Sequence, residues 1–207
     1  LKQITIKQMK KIAAVTASAF TIILSVFFFS PSQKSIAEET IETSVAQTPA
    51  SGLAQLASEA LEQNIEESNL ALVDRLKDFA SKFLGRRYVW GSIGPKSFDC
   101  SGFTSFVFRN EGIELPRTSR MQYRVGEKVN RNELKAGDLM FFSSPRSGKG
   151  RVGHVAMVVD VNEADGTCTF IHSSSGKGVN LQKFPDGGYY SRNFIGAKRV
   201  IPQQPVA

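Results

Sequence analysis

The first clear pattern in the chain is a helical repeat of apolar side chains that begins near Asn69. Four residues spaced by four, three and four positions share one face of a helix, namely Leu72, Leu76, Phe79 and Phe83. Ser68 or Asn69 can cap the start of this helix, and Gly85 can end it. The pattern therefore predicts the first helix of a folded domain.

Two further helices are predicted before the periodicity changes. One runs over residues 100–111, where Gly112 ends it, and a short one capped by residues 116–119 reaches Tyr123. From residue 138 onward, alternation of apolar residues predicts strands, over residues 138–142, 154–161, 167–172, 179–181 and 195–201. Helices followed by an antiparallel sheet of about five to six strands indicate an α+β domain over residues 69–201.

Residues 1–37 have the layout of a secretory signal. They hold five lysines, no acid, and an apolar or small-residue run at 12–29. Ser35-Ile36-Ala37 is a candidate cleavage site, but the run is also long enough to span a bilayer as an uncleaved anchor. Either outcome predicts an extracytoplasmic protein, periplasmic or secreted. We interpret residues 38–68 as a linker or helical spacer and 202–207 as a tail.

Charge divides the rest of the chain into an acidic and a basic part. Residues 38–78 hold nine acids and two bases, whereas residues 79–207 hold ten acids and 19 bases, so their net charges are −7 and +9. A basic exported domain suits an anionic partner such as a cell wall or anionic lipid. The alternative is that the positive charge only keeps the domain soluble. No nucleic-acid-binding motif is present, so we do not expect nucleic acid as a partner.

The candidate chemistry centres on Cys100, within the motif FDCSG of residues 98–102. This cysteine lies in the first turn of a predicted helix, where unpaired backbone N–H groups and the helix dipole favour a thiolate. A disulfide with Cys168, the second cysteine of the chain, is an alternative that would silence the thiol. We predict that Cys100 is a free nucleophile.

Both histidines of the chain, His154 and His172, fall on predicted strands, and the register of the hairpin decides whether they meet. A two-residue turn at Asp165-Gly166 would place them on opposite faces of the sheet. A five-residue loop over 162–166 would place His172 opposite Ala156, on the same face as His154 and diagonal to it. We predict the longer loop.

In that register, one thiol and two imidazoles form a possible catalytic set. His154 is the candidate base for Cys100, and His172 is the candidate residue that orients His154. A metal site made from the same three side chains is the competing interpretation, but no spaced cluster of ligands supports it.

Six short motifs occur in the order found in the NlpC family of cell-wall cysteine peptidases, which residues 70–201 resemble. They are YVWG (88–91), FDCSG (98–102), PRTS (116–119), AGDLMFF (136–142), GHVAMV (153–158) and FIH (170–172). The resemblance implies a papain-like α+β domain in which Cys100, His154 and His172 form a Cys-His-His triad.

The resemblance also implies a substrate and its contacts. Tyr88 would help backbone N–H groups near the nucleophile to hold the oxyanion, and Asp99 and Ser101 would contact the free amine of the substrate peptide. The substrate would be a peptidoglycan stem peptide, cut by a monomeric enzyme without cofactor or metal between D-glutamate, linked through its γ-carboxyl, and a diamino acid. An amidase or acyltransferase acting on wall or lipid amides is the main alternative, and a wall-binding protein without activity is another.

Overall fold

The structure is a computed structural model that describes residues 49–202. The predicted signal or anchor segment (1–37), the run at 12–29 and most of the predicted tail lie outside the described residues. Within residues 49–202, no helix combines the length and the apolar character needed to cross a membrane.

The first element is a single helix of 33 residues, α1 (Pro49–Ser81). The predicted helix start at Ser68 or Asn69 is wrong, because the helix passes through both residues without a break. Residues 53–67 contain no glycine or proline and are rich in alanine, leucine, glutamate and glutamine, which are strong helix formers. The last turns of α1 bury Val73, Leu76 and Ala80 in the domain core.

Three shorter helices follow, and two of them agree with the prediction. They are α2 (Cys100–Arg109), α3 (Ser119–Gln122) and α4 (Tyr189–Asn193), together with a 3-10 turn at Arg131–Glu133. Thr118 caps α3 through its side chain, which accepts a hydrogen bond from the N–H of Met121. The helix α4 has no periodic apolar pattern that could have predicted it.

A six-stranded antiparallel sheet has the strand order β1-β6-β2-β3-β4-β5, which confirms the α+β class. Its strands are β1 (Glu127–Val129), β2 (Leu139–Ser143), β3 (Val152–Asn162), β4 (Thr167–Ser174), β5 (Gly178–Phe184) and β6 (Phe194–Arg199). The predicted strands correspond to β2–β6. The strand β1 was missed because three residues are too few to show an alternation.

Both faces of the sheet are buried. Alternate residues of β2 separate into two cores: Leu139 and Phe141 pack with α1 and α2, whereas Met140 and Phe142 join an aromatic cluster on the opposite face. The second core includes Phe170 of β4. The central strands are therefore fixed from both sides, which gives the site a rigid base.

The loop of the hairpin β3–β4 follows neither register considered from the sequence. Asn162 pairs with Thr167, so the connection has four residues (163–166), and the predicted five-residue loop is wrong. The Asp165 carboxylate accepts the N–H of Thr167, and Gly166 takes a left-handed conformation with φ of 66°. These local bonds favour the shorter loop.

A β-bulge at Val159 compensates for the shorter loop. Val159 is the extra residue between the pairs that Val158 and Asp160 make, and it shifts the register by one position. Beyond the bulge, Met157 opposes Ile171, and the next pair in this register places His172 opposite Ala156. The histidine end of the hairpin thus has the predicted register, although the loop end does not.

Candidate active site

Cys100 is the first residue of α2 and is 5% exposed. The preceding Asp99 caps the helix: its Oδ1 accepts the N–H of Gly102 at 2.7 Å. The backbone N–H groups of Val155, Ser101 and Cys100 itself act to lower the pKa of the thiol. The thiol therefore lies where α2 meets β3, next to the residue that follows His154.

Both cysteines are free, so the disulfide alternative does not apply. Burial, and then the negative charge of Asp99, raise the pKa of Cys100 to about 11, although the three N–H groups act in the opposite direction. The expectation of a thiolate favoured by the helix start is wrong for this resting structure. A nucleophilic Cys100 must lose its proton to a base during attack.

His154 and His172 lie on the same face of the sheet, as predicted. Nε2 of His154 is 2.8 Å from Nδ1 of His172, and the two rings are nearly perpendicular. His172 is 1% exposed, whereas His154 keeps part of its side chain accessible. Within residues 49–202, no three side chains of the metal-binding types cluster closely enough to hold a metal ion.

Asn180 of β5, directly opposite His172, favours one arrangement of the protons in this pair. The amide nitrogen of Asn180 donates to Ser174 Oγ at 3.0 Å and to the Gly178 carbonyl at 2.8 Å. Its oxygen therefore accepts from the His172 ring, a bond that acts to raise the pKa of His172. With Nε2 of His172 protonated, its Nδ1 accepts from Nε2–H of His154, and Nδ1 of His154 keeps a free lone pair.

Sequence reasoning missed Asn180, because only the register of β4 against β5 brings it to His172. No hydrogen bond joins Cys100 to His154 in the described part of the chain. Catalytic hydrogen bonds are commonly long in enzymes without substrate and shorten when substrate binds. Nδ1 of His154 is thus free to accept a proton. The next residue in the chain, Val155, has the backbone N–H that acts on the Cys100 thiol.

Aromatic rings surround the histidine pair on the second core. His172 lies between Phe170 and Tyr190, with ring centroids 5.1 and 5.2 Å away, and the Tyr190 ring also contacts His154 at 6.2 Å. Asp186 holds Tyr190 in place because its carboxylate accepts N–H groups from the start of α4. These rings help to bury the His172 imidazole and cover part of His154, and no sequence pattern had singled out Tyr190.

Burial lowers the pKa values of both histidines, to about 3 for His154, where His172 adds to the effect, and to about 4 for His172. The pKa of a free histidine in the unfolded chain is about 6.5, so each histidine contributes its full stabilisation of the fold only above that pH. As the pH falls below about 6.5, the unfolded chain binds protons that the folded protein does not, and this stabilisation is lost. We therefore expect acidification from pH 7 to pH 4.5 to lower the free energy of unfolding by about 2 kcal/mol from His172 alone.

Urea unfolding of the full chain at the two pH values measures this loss. The matched control is His172→Asn, which lacks the more buried ring and should lose less stability over the same interval. An unfolding midpoint that stays constant in the unchanged protein would contradict the prediction.

Asp99, the predicted contact for a substrate amine, is already bound on both oxygens. Arg117 donates to Oδ2 at 2.5 Å and to Oδ1 at 3.1 Å, and Gly91 N–H donates to Oδ2 at 3.0 Å. Arg117 also donates to Ser101 Oγ at 3.2 Å. Asp99 and Ser101 remain predicted substrate contacts, and a substrate amine there would share the carboxylate with Arg117, whose role the sequence had not indicated.

Tyr88 lies in the loop that precedes α2. Its backbone forms a parallel bridge with Phe98, two residues before Cys100. Burial, followed by the charges that Cys100 and Asp99 carry when ionised, raises the pKa of Tyr88, so its hydroxyl is a donor at neutral pH. The part of Tyr88 in holding an oxyanion stays a prediction.

Comparisons with known proteins identify the family that the chain matches. The model of the NlpC/P60 family matches residues 85–199. A probable endopeptidase p60 of Listeria seeligeri is 51% identical over 80 residues, which are 39% of this chain and 14% of that protein. A gamma-D-glutamyl-L-lysine dipeptidyl-peptidase of Bacillus cereus is 37% identical over 130 residues, which are 62% of this chain and 37% of that protein.

The fold also matches a solved structure. An NlpC/P60 family protein from Bacillus cereus superposes with a TM-score of 0.55 and 36% sequence identity, over 63% of this chain and 40% of the other. The present chain thus spans well under half the length of each of these three proteins.

Proposed function

We propose, from the premise that this chain belongs to the NlpC/P60 family, that it is a cysteine peptidase that hydrolyses peptidoglycan stem peptides. The observation that carries the proposal is the 2.8 Å contact of His172 with His154, which is next in the chain to Val155, whose N–H acts on the Cys100 thiol. A base with a free lone pair within reach of a thiol is what nucleophilic catalysis requires, and we propose these roles for His154 and Cys100.

Each residue of the proposed site has a separate role in the reaction. Nδ1 of His154 takes the proton of Cys100 as the sulfur attacks the amide carbonyl, and His172 stabilises the imidazolium that forms. Backbone N–H groups near the sulfur and the Tyr88 hydroxyl donate to the oxyanion. The amine leaves with the proton from His154, and water then hydrolyses the thioester and restores the thiol.

The proposed bond lies between D-glutamate, through its γ-carboxyl, and a diamino acid. The name of the Bacillus cereus relative, a gamma-D-glutamyl-L-lysine dipeptidyl-peptidase, supports this specificity. An amidase or acyltransferase of the same fold would use the same nucleophile and base on a different amide.

The proposed place of action is outside the cytoplasm. The lysine-rich and apolar residues 1–37 support export or anchoring, and the net charge of +9 on residues 79–207 suits an anionic wall. We propose residues 69–201 as the catalytic domain, which acts as a monomer.

Mass spectrometry of the products tests the proposal. The purified full chain, incubated with the tripeptide L-Ala-γ-D-Glu-L-Lys, is expected to release L-Ala-D-Glu and free lysine. Cleavage at another amide of wall fragments would support the amidase alternative instead. An absence of any cleavage on wall peptides and purified peptidoglycan would contradict the proposal and favour a binding protein.

A further inference from the structure

A positively charged side chain lies over an exposed tryptophan at the edge of the candidate site. The Arg146 guanidinium carbon is 4.1 Å from the centroid of the Trp90 ring, and Trp90 is 62% exposed. An arginine stacked in this way loses little further conformational freedom when its N–H groups bind a ligand. The pair is therefore a prearranged cation that faces solvent.

The loop that carries Arg146 is held by its own hydrogen bonds. Ser144 N–H donates to Ser147 Oγ at 2.9 Å, and Gly150 N–H donates to Ser143 Oγ at 2.9 Å. These bonds close the connection between β2 and β3 on both sides of Arg146. The position of the guanidinium is therefore set by the loop as well as by the tryptophan.

Two loops that border the nucleophile meet at this pair. Trp90 follows Tyr88 in the loop that runs beside Cys100, and Arg146 belongs to the loop that leads directly into β3 and His154. The charges of Cys100 and Arg146 both act on the Tyr88 hydroxyl, in opposite directions. Arg146 is thus within electrostatic reach of the place where the scissile amide would bind.

Arg146 differs from the arginines that stabilise the fold. Arg117 and Arg199 form ion pairs with the buried Asp99 and Asp138. No carboxylate pairs with Arg146 within residues 49–202. Its guanidinium N–H groups are free to meet an anionic group of a ligand.

We propose that Arg146, stacked on Trp90, binds a carboxylate of the substrate next to the scissile amide. The inference rests on the proposed function, because a glutamyl residue linked through its γ-carboxyl keeps a free α-carboxylate. The carboxylate of the diamino acid is the second source of the same chemistry. Arg146 then determines specificity for acidic over amidated stem peptides.

Three peptides distinguish the two sources: the free tripeptide L-Ala-γ-D-Glu-L-Lys, the same peptide with the glutamyl α-carboxyl amidated, and the same peptide with the lysyl carboxyl amidated. The peptide whose amidated carboxyl is the one that Arg146 binds should be the poorer substrate. For the unchanged protein, we expect kcat/KM to be about tenfold higher on the free tripeptide than on that amidated peptide. Arg146→Gln should reduce this ratio of kcat/KM values towards one. The ratio of the free tripeptide to the other amidated peptide should stay unchanged. Arg146→Lys should retain part of the preference.

Lys149→Gln, which removes a positive charge from the same exposed loop, is the matched control and should keep the full preference. Equal rates on all three peptides in the unchanged protein would overturn the inference while the proposed function stands. An equal loss on all three peptides in Arg146→Gln would also overturn it, since it indicates a merely structural role. Failure of the unchanged protein to cleave any of them would overturn the inference together with the proposed function.

Discussion

Replacing Cys100 by alanine is expected to lower kcat for stem-peptide cleavage by about 10⁴-fold or more. In the proposed mechanism the sulfur forms the covalent bond to the acyl group, and Ser101 is a poor substitute because it already bonds to Asp99 and Arg117. The measurement is the initial rate of product release at saturating substrate, with thermal unfolding to show that the fold is unchanged.

Cys168 provides the matched control for this substitution. It is also buried and free, and burial raises its pKa to about 11, but it lies in the second core with its sulfur 3.9 Å from that of Met140. Cys168→Ala should keep kcat within about twofold and lose some stability through the small cavity it leaves. Full activity in Cys100→Ala would contradict the proposed mechanism.

The second large effect is expected at the histidine pair. His154→Ala removes the base and should lower kcat by about 10³-fold, within the range for general base catalysis. His172→Ala leaves the base in place but removes the acceptor 2.8 Å from Nε2 of His154, so the loss should be smaller, about 10²-fold.

The variant His172→Asn tests whether His172 acts by positioning. An asparagine amide oxygen can lie near the position of Nδ1 and accept a hydrogen bond from Nε2–H of His154. We expect it to restore at least part of the rate that His172→Ala loses, with a shifted pH profile of kcat. The proposed role would be wrong if the alanine and asparagine variants had the same rate and pH profile.

The parts of the fold predicted correctly are those with long, regular patterns. Strand β2 was predicted from a period of two over residues 138–142, and α2 from Asp99 before an apolar run. The start of α1 was wrong because helix propensity extends the helix beyond the residues that pack on the domain. The loop of β3–β4 was wrong because a sequence does not show where a bulge such as Val159 will form.

The candidate site shows the same division. Cys100, His154 and His172 could be named from residue type, motif and register, and the structure brings the two histidines together. Asn180 and Tyr190 could not be named from the sequence. The contact of Asn180 with His172 depends on strand pairing, and the contacts of Tyr190 depend on the five-residue helix α4. The raised pKa of Cys100 was also missed, since burial outweighs the backbone N–H groups at the start of α2.

The protonated state of Cys100 affects how the protein resists oxidation. Peroxide and other oxidants react with thiolates far faster than with thiols, and sulfinic and sulfonic acids are not reduced outside the cytoplasm. Burial and the adjacent Asp99 raise the pKa of Cys100 and so favour its protonated form. Burial of the thiol, together with the carboxylate that caps the helix, thus also protects the sulfur from oxidation.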